Sequence, residues 1–140
     1  MDRVITIELA IFGFGWYATF AFFKRFAPYP TQFLKIKEED ERNKKFDFYL
    51  THWVSLVHAL LLIILGTWAT IIYPFEYNRN IYPFEVFIVK ISLSYFIYDS
   101  ILGYFKGYNT LIMNAHHIIA CSTLIYPLYS YFNLKAILTL

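Results

Sequence analysis

Four apolar runs, residues 4–23, 53–73, 84–105 and 111–132, constrain this chain more than any other feature. Each is 20 to 22 residues long, and about 20 apolar residues rising 1.5 Å apiece cross the roughly 30 Å of bilayer hydrocarbon. Hydrocarbon offers backbone groups no partner, so each run has to satisfy itself as a helix. The expectation is a single all-α domain over residues 1–140, a polytopic membrane bundle with four transmembrane helices. Composition agrees, at 59% hydrophobic and 16% charged residues against about 45–50% and about 25% in soluble domains. The first run exceeds the apolar stretch of a signal peptide, about 7–15 residues, and follows a weakly basic Met1-Asp2-Arg3, so it reads as a retained helix.

Between the runs the chain is polar. Pro28 and Pro30 stop the first helix, and residues 24–51 read as a solvated loop with a short surface helix in its charged part, residues 35–47. Pro74 closes the second run, and Pro127 is expected to kink or break the fourth. Four spans put the 24–51 loop and the connector at Lys106 on one face. That face holds eight basic residues: Lys24, Arg25, Lys35, Lys37, Arg42, Lys44, Lys45 and Lys106. The opposite face has three, Arg3, Arg79 and Lys135. The excess places the loop inside and both termini outside. A net charge of +2 in a mixed-charge loop argues against nucleic acid as a partner. The lone cysteine, Cys121, excludes an intramolecular disulfide. Gly13, Gly15, Gly66 and Gly103 are where the helices of partner chains are expected to approach closely.

The costly residues inside the spans are the candidates for function. Counted from Trp53, Phe105 and Leu111, His58 of the second span, Asp99 of the third and His116 and His117 of the fourth each lie about 8–9 Å below the loop face. Ser55 shares a helix face with His58, Ser92 and Tyr95 with Asp99, and Asn114 and Cys121 with His117. A hydrogen-bonded cluster fixing helix register is the structural expectation. Three chemistries can use the same groups. An Asp99–histidine pair can act as a general base toward an amine or alcohol. Lipid can be held at Ser55, His58, Tyr95, Asp99, Asn114, His116 and His117. Metal binding is the weakest case, because neighbouring histidines on one helix point about 100° apart, and no metal or other cofactor is expected.

The ordered set Ser55-Leu56-Val57-His58-Ala59, Tyr98-Asp99 and Asn114-Ala115-His116-His117 resembles the TLC-domain family over roughly residues 46–132. These are polytopic proteins of the endoplasmic reticulum and related membranes, and they include the ceramide synthases. In the synthases the matching histidine pair is implicated in N-acylation by acyl-CoA, a role the resemblance would lay on His116 and His117, with Asp99 and His58 beside them. Two departures point away from that chemistry. The synthases carry acidic residues soon after the pair, where this chain has Ile118-Ile119-Ala120-Cys121. The family domain also continues through further spans. The resemblance therefore implies a lipid-binding or lipid-handling membrane protein without synthase activity. Membrane lipids and other subunits of a larger assembly would be its partners, in the endoplasmic reticulum or the mitochondrial inner membrane. The alternative is an acyl-CoA-dependent N-acyltransferase.

Overall fold

The computed structural model describes residues 3–73 and 81–138, with side chains from 5 to 73 and from 81 to 129. It contains α1 (Arg3–Phe26), α2 (Glu39–Ile72), α3 (Pro83–Lys106) and α4 (Leu111–Leu138), with one 3-10 turn, Thr31–Lys35, between α1 and α2. All four α-helices are long and apolar enough to cross a membrane, and the protein is an all-α integral membrane bundle.

Helix α3 is the centre. It packs against α1, α2 and α4, and α1 also meets α2. Trp16 and Phe20 of α1, Leu50 and Val54 of α2, and Ile91, Tyr95 and Tyr98 of α3 form the main buried cluster. Large side chains such as Phe14, Ile63, Trp68 and Ile112 point outward, as a lipid-facing surface requires. Pro83 opens α3 where a missing N–H costs nothing, and Glu85 Oε2 accepts the Tyr82 N–H at 2.9 Å. Gly107 ends the helix at φ 66°, and the Tyr108 N–H returns to the Gly103 carbonyl. Thr110 Oγ1 then accepts the Met113 N–H and starts α4.

Two expectations change. Residues 39–51 are neither loop nor a separate surface helix but the first turns of α2, which runs 34 residues, about 51 Å. Glu39, Asp40 and Glu41 suit its positive N-terminal end, and Phe46, Asp47 and Leu50 behind them are buried. Helix α4 continues through Pro127 to Leu138. Within the chain Gly103 is tightly packed, while a Cβ on Gly13, Gly15 or Gly66 would meet nothing within 4 Å, so those three positions stand open on the helix surfaces.

Asp47, with its side chain 5% exposed, receives Lys24 Nζ at 2.7 Å and Lys106 Nζ at 3.0 Å. This three-helix clasp puts the 24–51 segment and the α3–α4 connector on the same face. Arg79 and the side chains of Arg3 and Lys135, the other side of the charge count, lie outside the described residues. Near the opposite end, Lys90 of α3 pairs with Glu8 of α1, so two charges inside the apolar runs neutralise each other. Both lysines on Asp47 are about half exposed and can return to water. Asp47→Ala is therefore expected to cost only about 1–2 kcal/mol. Denaturation of the purified protein in mixed micelles checks this, and an unmoved midpoint contradicts the clasp.

Candidate functional site

The polar residues of the spans fall into two groups, not one layer. In the first, His117 Nε2 of α4 lies 3.1 Å from Asp99 Oδ2 of α3, with side chains 8% and 13% exposed. His117 Nδ1 lies 3.1 Å from Ser100 Oγ. The Ser100 hydroxyl donates to the Phe96 carbonyl at 2.7 Å, so toward the ring it can only accept. That arrangement puts a proton on Nδ1. Nε2 then faces the Asp99 carboxyl, so the ring is held from both sides inside the bundle.

The second group lies deeper. His58, 6% exposed, has Nε2 at 3.2 Å from Ser92 Oγ and stacks on Tyr95 with ring centroids 3.9 Å apart. Trp16 and Phe96 close against it edge-on. The Tyr95 hydroxyl meets Ser55 Oγ at 2.6 Å; Ser55 donates to the Thr51 carbonyl, so it accepts from Tyr95. Trp16 Nε1 donates to Ser94 Oγ at 3.2 Å. The reason for the split is register. Asp47 stands level with Lys106, so His58 lies eleven residues in from the clasp and Asp99 seven, a difference of about 6 Å.

His116 and Asn114 do not join either group. Both are exposed on α4, and the His116 ring lies 5.7 Å from those of Phe96 and His117. Among the described residues, no three of His, Cys, Asp and Glu come together as metal ligands do. His58 and Tyr95, read from the sequence as lipid contacts, are enclosed by aromatic rings, and a lipid cannot touch them without repacking the core. Trp16, Ser94 and Ser100 went unnoticed in the sequence. An indole N–H inside a span always needs an acceptor, and that was the signal for Trp16.

A cavity of about 470 Å³ lies elsewhere, between α1 and α3. Leu9, Ala10 and Gly13 form one wall and Ile97, Tyr98 and Ile101 the other. The Tyr98 hydroxyl is buried and makes no hydrogen bond among the described residues. None of the residues expected to bind lipid lines this groove. Comparison with protein-family models, curated proteins and solved structures finds no match for this chain.

Proposed function

We propose that this is a TLC-like, lipid-binding and lipid-handling membrane protein. In this reading it is a non-catalytic accessory subunit of a larger assembly in the endoplasmic reticulum or the mitochondrial inner membrane. The groove between α1 and α3 carries the reading: it is apolar and lies along the span, so its natural occupant is a hydrocarbon chain. The outward apolar face of α4, with Ile112, Ile119 and Tyr126, offers a surface for another helix. Gly13 supplies the test. A side chain there enters the groove without meeting the core, so Gly13→Leu is expected to lower co-purifying lipid several-fold at an unchanged melting point. Unchanged lipid content would refute the groove as the binding place.

The second reading is N-acyl transfer from acyl-CoA. A general base needs a ring nitrogen free for substrate and a carboxylate to orient the ring. His117 has the carboxylate, but both its nitrogens are engaged. His116 has free nitrogens but no carboxylate partner among the described residues. The two requirements are divided between two rings, and this favours the subunit. Turnover of acyl-CoA with long-chain amines, abolished by His116→Ala, would reverse that preference.

A further inference from the structure

The basic face carries a second, smaller cavity of about 240 Å³, lined by Glu41, Lys44, Lys45, Phe48 and Tyr108. It lies beside the Asp47 clasp. Lys24 and Lys106 close α1 and α3 at that level, and α2 is largely apolar from Phe48 onward, so the clasp marks the edge of the hydrocarbon. Lys44 and Lys45 are three and two residues further out, about 3–5 Å, at the depth of lipid headgroups.

The charges there are unbalanced. The cavity lining itself holds Lys44 and Lys45 against Glu41, two positive against one negative. Asp47 takes Lys24 and Lys106, and Glu41 takes Lys45 at 2.7 Å. Lys44 has no partner among the described residues, and its ammonium leans on the connector, 3.3 Å from where a Cβ of Gly107 would stand. The neighbouring Tyr108 hydroxyl is buried and has no partner among the described residues, while its ring packs edge-on against Phe48 at 5.4 Å. Burial, and then the Asp47 charge, push the Tyr108 phenol above its usual range, so it stays protonated and can act as a donor. An unmet donor beside an unmet cation, over an aromatic floor, suits an anion with several acceptor oxygens.

We propose that this cavity binds a phosphate group, that of an anionic phospholipid headgroup, with Lys44 supplying the charge and Tyr108 the directed hydrogen bond. The lipid tails would lie outside α2 and the connector, away from the α1–α3 groove.

The experiment uses the full chain, delipidated in micelles, with lipid retention read by native mass spectrometry. Phosphatidylglycerol is expected to be retained about tenfold better than phosphatidylcholine, whose choline is repelled by the lysines. Tyr108→Phe deletes a hydroxyl that makes no hydrogen bond among the described residues, so its melting point should hold while phosphatidylglycerol retention drops about five- to tenfold. Lys44→Gln should lower retention by a similar factor. Equal retention of both lipids overturns the proposal. So does a Lys44 effect without a Tyr108 effect, since that is charge attraction without a site. Inorganic phosphate at millimolar concentration separates the sources. If it displaces lipid in a Tyr108-dependent way, and binds as well without lipid present, the site serves the free anion and the headgroup assignment is overturned.

Discussion

Replacing His117 by leucine is expected to destabilise the fold by about 3 kcal/mol. The change strips Asp99 of its partner inside the bundle, and one-sided loss of a buried pair costs about 3–5 kcal/mol. Protonation of the stranded carboxyl caps the loss at the lower end. The double variant Asp99→Leu/His117→Leu removes donor and acceptor together and should cost only about 1–2 kcal/mol. Asp99→Leu alone leaves a ring that can stay neutral and keep its contact with Ser100, so it should cost about 1 kcal/mol. Singles of about 3 and 1 against a double of about 2 then give a coupling of about 2 kcal/mol, at the top of what pairs in membrane helices show. Unfolding in mixed micelles of the parent, both single variants and the double closes the cycle. Simple additivity would mean that the pair is a contact without an energetic link.

The second large effect is expected at Gly103. A Cβ there would stand 1.8 Å from Asn109 Oδ1 and 2.6 Å from its Cγ. The Asn109 side chain is no loose end, because its Nδ2 donates to the Ser100 carbonyl at 3.3 Å. Gly103→Ala must break that bond and push the connector away from α3, at about 2 kcal/mol. Gly66→Ala, in open space within α2, should instead stabilise by up to about 1 kcal/mol through helix propensity. Opposite signs for one chemical change would separate packing from propensity. Shortening the neighbour, in Gly103→Ala/Asn109→Ser, should recover most of the loss. A neutral Gly103→Ala would show that the connector is softer than its contacts imply.

The four helices were legible because hydrocarbon leaves the backbone no alternative, and run length alone then sets the element. The contact between Asp99 and a histidine was legible for a related reason: a costly group needs a partner, and few were within reach. The depth of His58 was not. Counting from Trp53 assumed that the span began where the charges ended, whereas Asp47 is a buried charge already inside the bundle. Only the partners of Asp47, 23 residues before it and 59 after, reveal this, and no local pattern reports such distances. Which glycine packs within the chain was hidden for the same reason. A residue without a side chain permits close approach, but the neighbouring helix decides whether one occurs. The groove between α1 and α3 is a space between elements and has no sequence signal of its own.

The pairing of helices also sets an order of assembly. Among the described residues, the backbone of α4 comes close to α3 and to no other helix, while α1, α2 and α3 all touch one another. Three helices can therefore complete their mutual contacts while α4 is still being synthesised. Its arrival is a separate step, guided by His117 finding Asp99 on a surface already formed. By the same logic, α4 is the first helix to leave when the bundle loosens, and its departure uncovers an acid on the exposed flank of α3.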